Sequence, residues 1–273
     1  MRRTLQFATL AGAMMLLAGG ASAQQFNGGI PAGWNCIGTC GTLGANGVVT
    51  APPVGGPQYG FVSTAGSTAT ANLPGVGGTG SATNGSLLRS SAISLNAGQN
   101  LSFYFNYVTS DGSGFADYAW ARLLNAGSMT QAALLFTART NATGGPIVPG
   151  FSMPAPEATL TPASQAIQAG TTWSPLGGSS NTCFATGCGH SGWIFSEFIL
   201  LASGSYILEF GVTTWIDGFF DSGMAFDGLA VDGTPVGSVV PEPISMVLLG
   251  SGLAGVAAAR RRRRRKQDDD DEG

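Results

Sequence analysis

Positive charge is what the middle of this chain lacks. Between residues 24 and 240 there is no lysine, and the only cations are Arg89, Arg122 and Arg139. They face Asp111, Asp117, Glu157, Glu197, Glu209, Asp217, Asp221, Asp227 and Asp232, so three cations against nine acids leave this stretch six charges negative. The whole chain sums to −3 only because most of its basic residues sit at the two ends. A domain of this sign is unsuited to nucleic acid, whose binding depends on cations displacing the counterions of phosphates.

Histidine is nearly absent as well. His190 stands alone, beside Ser191, in the stretch GCGHSGW. A hydrolytic triad needs a serine aimed at an imidazole with a carboxylate behind it, a geometry that sequence neighbours do not give, and no G-x-S-x-G elbow exists. His190 is therefore read as a loop histidine. No CxxC redox pair, no EF-hand spacing and no repeat of fixed period is found.

What is abundant is glycine, 43 residues of 273, with serine, threonine and alanine around it. Aromatic and branched residues gather in short runs between these stretches, which predicts strands joined by long loops. In NLSFYFNYVTS, Leu101, Phe103, Phe105 and Tyr107 share one face. In GSYILEFGVTTWID, Tyr206, Leu208, Phe210 and Val212 do the same. SLLRSSAISL, DYAWARLL, SGWIFSEFILL and SGMAFDGLAVDG read as further strands, DYAWARLL as the hairpin partner of NLSFYFNYVTS across DGSG. QAALLFTART reads as a strand or a short helix, and one short strand is expected near Tyr59 to Ser63. LPGVGGTGSATNGS reads as a flexible linker or surface loop. About eight strands and no long helix predict an all-β, antiparallel β-sandwich, jelly-roll-like. The domain is expected over 24–238, loop-rich over 24–85 and strand-bearing over 86–238.

Four cysteines, Cys36, Cys40, Cys183 and Cys188, allow three pairings. The two local bridges, Cys36–Cys40 and Cys183–Cys188, are favoured; each closes a small loop near a tryptophan, Trp34 or Trp193. Loops this short gain little chain entropy, so such bridges shape loops more than they hold the fold. A four-thiolate zinc site is the alternative, and an oxidising compartment disfavours it.

Three kinds of chemistry have candidates. Asp111, Asp117, Asp217, Asp221 and Asp227 sit near Gly-rich turns and could supply hard oxygens to calcium, although Asp-Gly is also ordinary turn chemistry. Tyr104, Trp120, Trp193 and Trp215 are candidates for stacking on a glycan, against the simpler role of packing the core. Glu157, Glu197 and Glu209 could pair as glycosidase carboxylates, but Glu197 and Glu209 lie in strands where an outward acid is ordinary. The chain is read as a non-enzyme with no cofactor, calcium being the one candidate.

The ends give the address. Arg2 and Arg3, an uncharged apolar stretch over 7–19 and Ala21-Ser22-Ala23 form a secretory signal peptide over 1–23, which hands the chain to the export machinery. At the other end, Ile244 to Ala259 carries no charge, and sixteen residues of helix span about 24 Å, short of a ~30 Å hydrocarbon core. A transmembrane helix over 244–259 can still cross with snorkelling arginines, and Arg260, Arg261, Arg262, Arg263, Arg264 and Arg265 then stop on the cytoplasmic side. An acidic tail over 267–273 follows and does not alter that topology.

Pro241, Glu242 and Pro243, the apolar run and the arginine cluster, in that order, resemble the sorting signal of PEP-CTERM proteins over 239–266. The resemblance implies processing by an exosortase near Pro241-Glu242-Pro243, a transient inner-membrane stage, and delivery to the surface or matrix of a Gram-negative bacterium that makes exopolysaccharide and biofilm. FNYVTSDGSGFADYAWARL and AFDGLAVDG are similar to uncharacterised exported β-sandwich domains upstream of such signals. The expected function is an exported surface or matrix protein that binds exopolysaccharide or surface partners. A glycan-acting hydrolase and a purely structural matrix component are the alternatives.

Overall fold

The alternating stretches become strands. A computed structural model of the chain describes residues 25–236, whose regular structure is almost wholly β-strand, joined by long loops. The signal peptide, Pro241, Glu242 and Pro243, the expected helix over 244–259, Arg260 to Arg265 and the acidic tail lie outside the described residues.

In chain order the strands are β1 (Asn35–Ile37), β2 (Thr39–Gly44), β3 (Gln58–Ser63), β4 (Ala82–Arg89), β5 (Ile93–Leu95), β6 (Asn100–Thr109), β7 (Tyr118–Asn125) and β8 (Gln131–Arg139). They continue with β9 (Pro146–Val148), β10 (Thr159–Thr161), β11 (Gln165–Ala166), β12 (Gly189–His190), β13 (Ile194–Ile199), β14 (Gly204–Trp215), β15 (Ser222–Val231) and β16 (Thr234–Pro235). One sheet runs β1-β4-β14-β7-β8, with β5 also on β14. The other runs β10-β13-β6-β15-β3-β2, with β12 on β6 and β16 on β15. The principal pairings are antiparallel, and the two sheets form a β-sandwich.

Several sequence expectations are corrected. SLLRSSAISL is split between β4 and β5, both paired to β14. QAALLFTART, read as a strand or a short helix, is the strand, β8, as the first of those readings had it. β6 and β7 are not a hairpin, because β6 lies in one sheet and β7 in the other, so DGSG crosses between sheets. The loop-rich stretch over 24–85 holds β1, β2 and β3 and the start of β4, which places Cys36 and Cys40 on strands.

The inner faces are those read from the alternation. Leu101, Phe103, Phe105 and Tyr107 meet Leu208, Phe210 and Val212 in one core with Phe136 and Phe226. Phe105 stacks on Phe136 at 3.7 Å and Phe210 on Phe226 at 3.8 Å. Each such ring removed from water contributes about 1.5–3 kcal/mol.

Both outer faces are partly covered, each with a tryptophan lying over a glycine. Trp120 crosses Gly211, where a Cβ would stand 2.2 Å from its ring, and Trp173 crosses Gly223, where the gap would be 2.5 Å. On the first sheet the segment 65–80 lies across Leu87, Tyr118, Trp120, Leu134 and Trp215, contributing Ala71 and Leu73. It is tied down by Gly85 N–H to Ala69 O (2.8 Å), Ser67 Oγ to Gly85 O (2.6 Å) and Trp215 Nε1 to Thr79 O (2.8 Å). Of the two readings, flexible linker or surface loop, the second fits: the segment is a surface strap fastened to the sheet. Gly77 N–H adds a further tie, to Ser152 O (2.8 Å).

The cysteine pairing is as favoured from sequence. Cys36 is bonded to Cys40 and Cys183 to Cys188, with Cα separations of 6.1 and 5.6 Å.

Candidate functional site

The segments after β6, β8, η-turn Ser174–Ser179 and β14 converge at one end of the sandwich. Ser110 N–H donates to Asp221 O (3.1 Å) and Phe184 N–H to Ser110 O (2.9 Å), joining three of them. Phe184 packs against Phe115 at 5.3 Å and Phe220 at 5.0 Å. Phe219 is 71% exposed, Phe184 46% and Phe151 40%. This end carries apolar surface that the fold itself does not bury.

Beneath it lies a polar network. Asp117 is fully buried; its Oδ1 accepts from Trp215 N–H (2.8 Å) and its Oδ2 from Ser222 Oγ (2.6 Å). Ser222 in turn reaches Thr109 (2.7 Å), and the Tyr107 hydroxyl donates to Asp117 O (2.9 Å). Burial, then the charge of Asp111, holds the Asp117 carboxyl well above the usual carboxylate range. Asp111 is also buried; Oδ1 accepts from Gly112 N–H (2.7 Å), while Oδ2 has no partner. Burial pushes it up to about 7, with Asp217 adding to the rise.

The five aspartates expected near calcium do not gather as one set. Asp221 is occupied by Thr64 (3.0 Å) and Ser179 (2.9 Å), and Asp217 caps Phe219 N–H (3.0 Å). Asp227 sits further along β15, opposite Tyr104. Among the described residues no group of three metal-ligating side chains stands close enough to hold an ion.

The aromatic candidates divide. Trp120 and Trp215 are buried under the strap, 0% and 6% exposed; neither offers an open stacking face, Trp120 packs the sheet, and Trp215 reaches the surface only as part of the lining of a pocket. Tyr104 and Trp193 stay half-exposed. Tyr104 lies 4.9 Å from Phe195, and Trp193 Nε1 donates to Thr50 O (3.2 Å). Ser191 is buried, its hydroxyl taken by Tyr107 N–H (2.9 Å), and His190 Nδ1 accepts from Gly192 N–H (3.2 Å). Burial lowers the His190 pKa. Neither residue is placed as a nucleophile or base.

Glu209 does not point into water as its strand position suggests. It is 0% exposed, with Oε2 on Arg89 (2.7 Å) and Oε1 on Arg122 (2.6 Å) and Trp120 Nε1 (3.1 Å). Cross-strand register puts Arg89 and Arg122 on either side of it. Glu157 and Glu197 instead line a recess of about 390 Å³ with Thr159, Phe198, Ile199 and Leu201.

The residue that the sequence did not single out is Arg139. It is 2% exposed, makes no ion pair among the described residues, and lines a pocket of about 190 Å³ at the loop end. Being the one body arginine without a carboxylate within reach was not legible in a linear pattern.

Comparison with known proteins bears chiefly on the C-terminus. Residues 239–264 match the PEP-CTERM protein-sorting motif, so the chain carries the signal of exported, surface-sorted proteins, which implies processing by exosortase. No curated protein matches the chain. Among solved structures, the K1 cleaved adhesin domain of Lys-gingipain from Porphyromonas gingivalis W83 is 15% identical, covering 73% of this chain and 92% of its own, with a TM-score of 0.35. The K3 cleaved adhesin domain of the same protein is 16% identical, covering 76% and 95%, with a TM-score of 0.34. At TM-scores this low the likeness carries no argument.

Proposed function

We propose that this is a non-enzymatic surface or matrix protein of a Gram-negative bacterium, which binds exopolysaccharide through the loop end of its sandwich. The exported domain spans 24–238. The segment 244–259 holds it in the inner membrane until an exosortase acts near Pro241-Glu242-Pro243.

The observation that carries the binding reading is where the chain leaves the fold. Val236 N–H bonds to Leu229 O (3.0 Å), and the Gln25 side chain donates to Val236 O, so both ends of the described stretch meet beside Leu229. The Ser222 end of the same strand, seven residues away and about 23 Å distant, carries the exposed rings and the Arg139 pocket. A domain tethered by its C-terminus would present that end outward.

The fold reading is a jelly roll. Its support is the order of the eight principal strands β3, β4, β6, β7, β8, β13, β14 and β15. Counted one to eight, they stand 2-7-4-5 in one sheet and 6-3-8-1 in the other, the interleaving that two rolled Greek keys give.

Co-sedimentation of the full chain, in detergent, with the cell's extracellular polysaccharide tests the binding reading. Saturable binding, weakened several-fold when Phe184 and Phe219 are both changed to alanine, is expected from the loss of two stacking faces. No binding to any polysaccharide would leave the purely structural reading. A hydrolase would use the recess of Glu157 and Glu197. Turnover of polysaccharide lost in Glu197→Gln would favour it over the binding reading.

A further inference from the structure

Arg139 is held by its main-chain neighbours in an incomplete way. Its Nε donates to Ala116 O (3.1 Å), and Nη1 to Gly77 O (2.6 Å), Ser152 O (3.3 Å) and Phe151 O (3.5 Å). Nη2 donates to no protein atom among the described residues. A guanidinium has five N–H donors, so its outer nitrogen keeps two without an acceptor. Nη2 is not among the sealed, unpartnered polar atoms, so these donors open into the pocket that Arg139 lines, where an acceptor can reach them.

The charge is uncompensated as well. Arg89 and Arg122 are spent on Glu209. The one carboxyl among the groups that act on Arg139, Asp117, is held toward its neutral form by burial. The result is a fixed positive centre in a domain that is otherwise negative. Carbonyls on three sides and the rings of Trp215 (4.9 Å), Phe151 (5.2 Å) and Tyr118 (5.8 Å) hold the group rigidly. Trp215 and Phe151 also line the 190 Å³ pocket, beside Gly78, Gly112 and Ala142.

We propose that this pocket takes a single carboxylate borne on a sugar ring, a uronate unit of the polysaccharide, with Arg139 Nη2 donating to the carboxylate and Phe151 lying along the apolar side of the ring. Arginine pairs with carboxylate and phosphate alike; with Nε and Nη1 already spent on carbonyls only Nη2 is open, so the site offers one positive charge and one nitrogen, which suits a singly charged carboxylate better than a doubly charged phosphate. Sites for drug-sized ligands run about 300–1,000 Å³, so this one admits one unit rather than a long segment. The six excess negative charges of the body repel a polyanion, which fits a chain with isolated uronates better than one charged at every residue. The inference rests on the polysaccharide-binding reading above and narrows it.

The test is titration of the full chain, in detergent, with sodium glucuronate, glucose and N-acetylglutamate, followed by binding to the matrix polysaccharide. Glucuronate is expected to bind saturably, and glucose and N-acetylglutamate at least about tenfold more weakly, as loss of one charged hydrogen bond or one stacked ring predicts. Arg139→Gln removes the anion anchor. Ala142→Phe fills the pocket without touching any bond of Arg139, and should abolish glucuronate binding with the melting temperature unchanged. Glucose binding as tightly as glucuronate would overturn the carboxylate assignment, and N-acetylglutamate binding as tightly would overturn the sugar. Polysaccharide binding that survives Ala142→Phe in full would remove this pocket from the account and leave the broader reading standing. No polysaccharide binding by the unaltered chain would remove the broader reading itself.

Discussion

Changing Glu209 to alanine is expected to cost about 3–5 kcal/mol, the usual penalty for stripping one partner from a buried ion pair. Glu209 is the hub of the outer face of its sheet, with Arg89 on one neighbouring strand and Arg122 on the other. The Arg89 and Arg122 side chains are only 27% and 14% exposed. Without the carboxylate two guanidiniums face each other, and the Trp120 indole N–H loses its acceptor. In a domain of this size each kcal/mol moves the melting temperature by about 2–4 °C, so thermal melts should show a fall of roughly 6–20 °C. Glu197, half-exposed on β13, should tolerate alanine within about 1 kcal/mol, the ordinary range for surface acids. Equal losses at the two positions would contradict the assignment of Glu209 as a structural hub. The contrast also matters for any search for hydrolysis, because activity lost in a Glu209 variant would report unfolding.

The second large effect is a gain, and it depends on pH. Asp227 is 1% exposed, neither carboxylate oxygen has a hydrogen-bond partner, and the backbone of Gly55 packs directly against it. Burial pushes it up to about 7 from an ordinary 3.8, with the Gly228 and Gly56 amides near enough to soften the push. Below about pH 4 both folded and unfolded chains hold this proton, and it adds no cost. Between about 4 and 7 the unfolded chain releases it while the folded one retains it, so stability falls as pH rises; above 7 the whole cost is present. Asp227→Asn should therefore stabilise the protein by about 2–4 kcal/mol at pH 8 and hardly at all near pH 4, at 1.36 kcal/mol per unit. Urea melts at both values measure this. Asp111, also pushed up to about 7, should keep part of the slope in the variant. A variant no more stable than the parent at pH 8 would mean that the Asp227 carboxylate is satisfied by a partner after all.

What the sequence made legible is what obeys a period of two. Leu101 to Tyr107 and Tyr206 to Val212 alternate because each strand has one face on the core, and the faces read from them are the observed ones. Both disulfides were legible because each closes within five residues. The burial of Trp120 and Trp215 was not, since the strap that covers them is held by main-chain bonds that leave no hydrophobic rhythm. Nor was the ladder Arg89–Glu209–Arg122, whose two ion pairs join residues 120 and 87 apart that only cross-strand register brings together. The crossing at DGSG was hidden for a related reason, because a tight-turn sequence does not state which sheet receives the next strand. Arg139 needed three loops in place before its missing partner could be seen.

Delivery to the surface is the claim on which the rest depends, and Glu242 is the residue to test it. An epitope inserted at the exposed Gly127–Ser128 turn, where a side chain meets open space, can be stained with antibody on intact cells. Cells making the parent chain should stain, and cells making Glu242→Ala should not, with the protein retained in the membrane fraction at unchanged size. Equal staining and identical C-terminal processing in the two would contradict sorting through Pro241-Glu242-Pro243.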